Sequence, residues 1–290
     1  MTAGAISVVV PTIGRAAALA RCLDALAAGS VLPGETVVVD QSGVDAIARV
    51  VDERGAALPG LRRIAVDRRG LSTARNAGAR ASQRSILAFT DDDCVPDARW
   101  VAGLATAFEE RPQLAAVTGP MLPLPAAEPG LVPVSSRSSR ERREFAGRAL
   151  PWEIGTGGNT TLAREWFSRI GGFDERLGAG TRGCAGEDLD LFRRVLRAGG
   201  RIVFEPDAVC RHEQKTPAER RARRASYGLG AGAALGLWLR EGDPRALPTL
   251  ARWVSLRARM AVRGSATDEL RVLGGTVRGL AYGLRLSSWA

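Results

Sequence analysis

The run Leu87-Ala88-Phe89-Thr90 passes directly into Asp91-Asp92-Asp93. Neighbouring carboxylates repel, and aspartate is poor in both strands and helices, so three of them after an apolar run call for a counter-charge. A divalent cation held by carboxylate oxygens would supply it, and such a cation usually carries phosphate. A solvated acidic turn is the plainer alternative for any short acidic run. A second acidic focus is Gly186-Glu187-Asp188-Leu189-Asp190. Acidic residues suit the first turn of a helix in any case, so this pair fits a helix start as well as a site. His212 is the single histidine of the chain and follows a short apolar strand, where an imidazole could reach a metal or simply be structural.

Other residues gain meaning from where the elements put them. Ile6 to Val10 is a β-branched run of the kind buried on both faces of a sheet, and Pro11-Thr12 stops it. A helix is expected over 16–28, with Leu19, Leu23 and Leu26 on one face, and a second buried strand over 36–39 that closes on Asp40. Strand, helix and strand in forty residues make a βαβ unit, hence an α/β fold with a mostly parallel sheet. Ligands of such sheets sit at the carboxyl ends of the strands, where Pro11, Thr12 and Asp40 fall. Asp40 could accept from a base N–H or a ribose hydroxyl there, or serve as a turn residue before Gln41-Ser42-Gly43. A third strand is expected over 61–66 and a fourth over 85–89, which brings Asp91 to Asp93 to the same edge. Between them Ser72 is expected to cap a helix with Arg75 in its first turn, an anion site or an ordinary surface arginine. Further on come a helix over 97–110 and a strand over 115–119. Residues 120–150, Pro-rich and then Ser/Arg-rich, read as a long mobile loop or lid. Gly157-Gly158-Asn159 permits close approach of a ligand to the backbone, or a tight turn. A short helix is expected over 162–170, one from Asp188 to Ala198, and a strand over 201–205.

Bulk properties bound the rest. The 290 residues carry a net charge of +10, and from Arg211 onward 15 Arg and Lys face 6 Asp and Glu. That basic end suggests phosphate-rich partners: anionic lipid, a lipid diphosphate or nucleic acid. Residues 250–262 and 272–286 look like basic amphipathic helices, suited equally to a membrane surface and to packing on the main domain. The four cysteines have neither zinc nor disulfide-scaffold spacing, and reduced thiols are expected. The N-terminus reads as a first strand and not as a signal peptide, and no apolar run reaches membrane-spanning length.

Taken in order, PT after the first strand, VVVDQSG, GLSTARNAG, FTDDDCVPD, GGN, GGFDE, GEDLDL and a later His resemble the inverting, DxD-type glycosyltransferases of family 2, over roughly residues 5–215. The resemblance implies a GT-A fold, a nucleotide-diphospho-sugar donor, a divalent metal (Mn2+ or Mg2+) and single displacement at the anomeric carbon. By position it implies that Pro11, Thr12 and Asp40 border the nucleotide, Arg75 lies near the base or diphosphate, and Asp91 and Asp93 are the DxD acids. Asp93 would be the direct metal ligand with Asp91 beside it, Asp92 the variable middle residue, and His212 the residue completing the metal site. Asp188 would be the catalytic base, with Glu187 next to it, and Gly157, Gly158 and Asn159 would line the donor sugar or the acceptor. The chain departs from the family at Gln41, where a second acid often stands. The expected layout is a catalytic domain over 1–225 (a nucleotide half over 1–119, the variable loop 120–150 and an acceptor half over 151–225) with a basic helical extension over 226–290. The expected acceptor is a hydroxyl, foremost on a lipid-linked or cell-envelope glycan, with the enzyme cytoplasmic and peripheral at the inner membrane face. A soluble enzyme acting on a small molecule is the alternative. A nucleotidyltransferase fits less well, since PTIGRAAAL lacks the lysine of a phosphate loop; no GxGxxG supports a dinucleotide fold. A nucleic-acid-binding role leaves the three aspartates without a purpose and has no recognisable motif.

Overall fold

A computed structural model describes residues 3–134 and 136–286. The strands are β1 (Ile6–Thr12), β2 (Glu35–Asp40), β3 (Leu61–Ala65), β4 (Ile86–Thr90), β5 (Cys94–Pro96), β6 (Ala116–Thr118), β7 (Met121–Pro123), β8 (Arg143–Phe145), β9 (Asn159–Ala163), β10 (Ile202–Phe204) and β11 (Cys210–His212). The helices are α1 (Ala16–Ala27), α2 (Asp45–Arg54), α3 (Leu71–Ala81), α4 (Trp100–Glu110), α5 (Pro151–Ile154), α6 (Arg164–Arg169), α7 (Glu187–Arg197), α8 (Pro217–Arg240), α9 (Ala246–Arg263) and α10 (Ala266–Gly283).

The main sheet runs β3-β2-β1-β4-β9-β6-β10-β8, and a small sheet runs β5-β11-β7. β1 is parallel to β2 and to β4, and β2 to β3. β9 enters antiparallel between β4 and β6. The β-branched runs of β1 and β2 are buried along their whole length because the sheet is covered on both faces. One face packs against α1, α2 and α4 through Leu19, Leu23, Ile47, Trp100 and Phe108. The other packs against α3, α6 and α7, with Phe89 edge-on to Phe173 at 5.1 Å between ring centres.

Several expectations change. Leu162 belongs to β9, because residues 159–163 pair on both sides, and the helix there starts only at Arg164. Ser72 does not cap α3; Gly70 precedes the helix, and Ser72 Oγ donates to the carbonyl of Leu177 at 2.8 Å. The 120–150 segment is not a free loop. β7 joins the small sheet, β8 extends the main one, and bridges tie Met121 to Arg137 and Val132 to Lys215.

The expected boundary at residue 225 falls inside α8, a helix opened by a capping box between Thr216 and Glu219. The C-terminal helices form a third core with Leu177, built on Trp238 and Trp253. Trp238 Nε1 donates to Asp190 of α7 at 2.8 Å. Gly228, Gly232 and Gly236 of α8 face Gly275, Gly279 and Gly283 of α10 across a seam at backbone contact. A Cβ on Gly279 would lie 1.9 Å from the carbonyl oxygen of Leu229, and one on Gly232 2.1 Å from that of Thr276. Nothing but glycine fits without parting the helices, so Gly279→Val should destabilise the fold by about 1–3 kcal/mol or more. A lowered melting temperature checks this, while an exposed glycine with an open surround, Gly274, should tolerate alanine.

Candidate active site

β4 ends at Thr90, and the turn into β5 carries all three aspartates, each with a different partner. Asp91 Oδ1 accepts from Arg75 Nη2 at 2.7 Å. Asp92 is fully buried; Thr12 Oγ1 donates to it at 2.7 Å and Arg15 clasps it. Burial pushes the Asp92 carboxyl up to about 6, against the pull of Arg15. Asp93 Oδ2 accepts from Arg15 Nη1 at 2.8 Å and lies 3.4 Å from Lys215 Nζ. Burial would raise the Asp93 carboxyl, but His212, Arg15 and Lys215 together hold it below the ordinary carboxylate value.

The register of β11 against β5 places His212 opposite Cys94. His212 Nε2 sits 3.5 Å from Asp93 Oδ1, and Nδ1 lies 2.6 Å from the carbonyl oxygen of Glu213. That carbonyl can only accept, so Nδ1 carries the hydrogen and Nε2 presents a lone pair toward Asp93. Burial holds the imidazole pKa down, which favours the neutral form a metal needs. Asp93, Cys94 and His212 form the one group among the described residues whose donor atoms could share an ion. A carboxylate suits Mn2+ or Mg2+, and a neutral imidazole is a nitrogen donor that can join it. Cys94 does not suit either, since its thiol contact with Cys210 and burial push its pKa well up and keep it protonated. Asp91 is not in this group: its carboxylate is held by Arg75 instead. Of the expected metal ligands, Asp93 and His212 stand together, and Asp91 stands apart from them against Arg75.

Arg75 links the two acidic foci. It is 1% exposed, donates from Nη1 to Glu187 Oε1 at 3.1 Å, and lies over the Phe173 ring at 5.2 Å. The expected surface alternative for Arg75 is excluded by this burial. Glu187 and Asp188 open α7 behind Gly186, which adopts a left-handed φ of 86°. Asp188 Oδ2 accepts from the Gly157 N–H at 3.1 Å and Oδ1 from the Leu189 N–H at 2.8 Å. Burial raises the Asp188 carboxyl, partly offset by these N–H groups and Arg75. Burial and the neighbouring Asp188 charge push Glu187 up to about 7.

Gly157 and Gly158 bring backbone against this framework. A Cβ on Gly157 would lie 2.8 Å from Arg75 Nη1, and one on Gly158 2.7 Å from Asp91 Oδ2. Asn159 does not line a ligand space as expected. It is buried, its amide donates to the carbonyls of Pro120 and Ala208 at 2.9 and 2.8 Å, and its oxygen accepts from Trp100 Nε1 at 2.8 Å. Its place at the start of β9 turns it into the core. Asp40 is also buried and committed, to Ser42 and to Arg63 Nη1 at 3.0 Å. Pro11, Thr12 and Asp40 stand together at the carboxyl ends of β1 and β2, in register, and outside the main cavity.

That cavity holds about 610 Å³ and is bounded by Arg75, Asp91, Gly157, Gly158, Glu187, Asp188 and His212 on the sheet side. Its far wall comes from Arg137 of the 120–150 segment and from α8, α9 and α10, which supply Arg223, Arg257 and Trp253. The volume suits a small-molecule ligand. Sequence reasoning missed Arg15, Lys215 and Arg137. A signal existed for Lys215, the only lysine, three residues beyond the only histidine.

Stability should report the burial of Glu187. Its carboxyl binds a proton more tightly folded, at about 7, than at its ordinary 4.5, so metal-free stability falls as pH rises through that window. Asp92 acts in the same direction, and His212, with its lowered pKa, in the opposite one below 6.5. Glu187→Gln should therefore flatten the rise in melting temperature seen on going from pH 8 toward 5, a difference that reports the Glu187–Asp188 pair.

A family model described as "Glycosyltransferase like family 2" matches residues 3–227. The chain belongs to glycosyltransferase family 2. This family 2 chain is 29% identical over 248 residues to a pre-mycofactocin glycosyltransferase of Mycobacterium tuberculosis. The match covers 76% of the chain and 51% of the relative, so the chain spans about half the length of that curated relative. It is 24% identical over 221 residues to the glucosyl-dolichyl phosphate glucuronosyltransferase of Haloferax volcanii, covering 72% and 69%. Among solved structures it is similar to the mannosyltransferase PcManGT of Pyrobaculum calidifontis in complex with GDP-Man and Mn2+, with a TM-score of 0.64 at 21% identity over 95% of this chain and 86% of that one. S. aureus TarS in complex with UDP-GlcNAc gives 0.60 at 15% identity, covering 96% and 89%. The family 2 chain thus has the GT-A fold.

Proposed function

We propose that the protein is a metal-dependent inverting glycosyltransferase that moves a sugar from a nucleotide-diphosphate donor to an acceptor hydroxyl. The observation that carries this is Asp188, fixed by two backbone N–H groups on the cavity wall and joined through Glu187 and Arg75 to Asp91, the neighbour of the Asp93–His212 pair. One acid therefore faces the open cavity, while the other acids are tied to cations. A single base and no carboxylate nucleophile fit direct displacement, in contrast to the paired carboxyls of a retaining glycosidase.

In this reading Thr12 and Asp40 border the nucleotide at the ends of β1 and β2, and Asp93 with His212 hold the metal. When bound, the metal offsets the charge that develops on the leaving diphosphate. Arg15 and Lys215 supply positive charge to the same corner. The acceptor oxygen attacks the anomeric carbon as the carbon–oxygen bond to the diphosphate breaks, and Asp188 Oδ takes the acceptor proton. Arg75 holds Asp91 and Glu187 in place beside the contact between the Gly157 N–H and Asp188.

One finding supports work at a membrane surface. α9 exposes Val254, Met260 and Val262 among Arg252, Arg259 and Arg263, a basic amphipathic face. No helix among the described residues is long and apolar enough to cross a membrane. The reading is therefore a peripheral enzyme at the cytoplasmic face acting on a lipid-linked or cell-envelope acceptor. Sedimentation with anionic vesicles, lost at high salt, checks this part alone.

The test of the transfer reading is release of nucleotide diphosphate from UDP-, GDP- and TDP-sugars with Mn2+ or with EDTA. Asp93→Ala should lose metal-dependent donor binding by about 10-fold to 100-fold or more, the usual size of a lost metal contact. Donor binding that is equally tight in EDTA, or unchanged in Asp93→Ala, would remove the metal from the mechanism.

A further inference from the structure

The far wall of the cavity has more positive charge than the reaction needs. Six arginines border the cavity against three carboxylates, and Arg75 is already shared between Asp91 and Glu187. Arg223 faces the Asp93–His212 corner, where its charge bears on both. Arg137 is different. Its guanidinium makes no hydrogen bond or ion pair among the described residues, and the carboxylates that bear on it are Asp188 and Glu153. Arg257 packs over the Trp253 ring at 4.0 Å and reaches Glu269 only at 3.5 Å, with its buried Nε unpartnered. Arg224 takes the other oxygen of Glu269, so one carboxylate serves two guanidiniums, and Arg224 Nε is also unpartnered. Burial pulls the Arg137 and Arg257 pKa values down, as expected where counter-charge is short.

A donor diphosphate does not explain this. It belongs at Asp93 and His212, where Arg15, Lys215 and Arg223 already stand. Arg137 feels the charge of Asp188, where the acceptor must present its hydroxyl, and Arg257 borders the same cavity. Half-buried guanidinium groups with too few acceptors are costly, and a phosphate offers several acceptor oxygens in the fork geometry they need. Leu256 and Met260 of α9 continue the same wall outward, so the ligand's next portion meets apolar surface.

We infer that the acceptor carries a phosphate or diphosphate near its nucleophilic hydroxyl, and that Arg137 and Arg257 hold it. This rests on the glycosyl-transfer reading and names the acceptor class of the same site. The phosphate belongs either to a prenyl-type lipid or to a soluble phosphorylated acceptor.

The experiment measures equilibrium binding of farnesyl diphosphate, farnesol and inorganic pyrophosphate to the full chain in EDTA, which removes metal-dependent capture of diphosphate. Farnesyl diphosphate should bind about tenfold or more tightly than farnesol, and Arg137→Gln should abolish that difference, the scale of one charge-assisted hydrogen bond. Arg257→Gln should do the same if it melts like wild type. Arg137 sits on a connecting segment, so its variant carries the test alone if Arg257→Gln is unstable. Farnesyl diphosphate binding well above pyrophosphate assigns a lipid source, and equal binding of the two assigns a soluble one; both sustain the inference. Farnesol binding as tightly as its diphosphate overturns it. So does diphosphate binding that survives Arg137→Gln but is lost in Lys215→Gln, which would place the anion at the donor corner. Mn2+-dependent donor binding by the wild type is read separately, so failure of the transfer reading shows there and not in the arginine variants.

Discussion

Asp188→Asn keeps donor binding and loses transfer by about 100-fold to 10,000-fold, the range associated with a positioned general base. The amide oxygen can still accept the Gly157 or Leu189 N–H that fixes this side chain, so the change is close to isosteric. What it removes is the basic oxygen that, in the proposed mechanism, takes the acceptor proton. The wild-type rate should fall as pH is lowered through the Asp188 pKa, which burial has raised, so the acid limb lies above the ordinary carboxylate range. The residual rate of the variant should lack that limb. A second consequence distinguishes base from scaffold. The Asp188 charge helps to raise Glu187, so in Asp188→Asn the Glu187 carboxyl should titrate below its wild-type value of about 7. Steady-state kinetics across pH, with donor affinity measured separately, checks all three points. Full turnover by Asp188→Asn would end the assignment.

Arg75→Met has the largest expected cost in stability. The arginine is 1% exposed and satisfies two carboxylates that have little other support. Removing one partner of a buried ionic group typically costs about 3–5 kcal/mol, because the charges left behind stay out of water. For a chain of this size that is a fall in melting temperature on the order of 10 °C. Activity should fall further than stability explains, since Asp91 and Glu187 both lose their anchor. Arg75→Lys is not a remedy: one ammonium cannot span both carboxylates as the planar fork does. Calorimetry and donor turnover at a temperature where the variant is folded separate the two effects. Gly158→Ala offers a milder probe of the same framework, since its Cβ would press on an Asp91 that Arg75 holds in place.

The parallel half of the fold was legible because its strands are buried on both faces and write themselves as continuous β-branched runs, as at Val8 to Val10 and Val37 to Val39. Asp188 and the Asp91 to Asp93 turn were legible because they follow such runs or open a strongly amphipathic helix. The misreadings share a cause. Thr160-Thr161-Leu162 is too short and mixed to declare a strand, and only pairing with β4 and β6 makes it one. Asn159 carries a side chain common in binding sites, but its use depends on Trp100, Pro120 and Ala208, which are distant in sequence. The division of labour among the three aspartates is also non-local. Arg75, Arg15 and Lys215 decide it, and no spacing rule reveals which arginine meets which acid. The basic C-terminal helices read as an appendage because charge and amphipathicity describe a helix's outer face. Their glycines, which describe the inner face, tell that these helices are part of the site.

Those glycines also decide which side of the cavity can yield. α8 and α10 touch backbone to backbone, so neither can slide or rotate without collision. α8 is further tied to α7 by Trp238 and Asp190, and α7 carries Asp188. Among the described residues α9 has no such hydrogen bond to α7, and it meets its neighbours through side chains such as Trp253, which donates to Thr276 at 3.0 Å and lies edge-on to Trp152. A bulky substrate would then enter past Leu256 and Met260, with α9 as the yielding door and the other two helices as its fixed jamb. In the proposed membrane-bound reading, the helix that touches the surface is also the one held only by side chains, which would couple surface attachment to substrate admission.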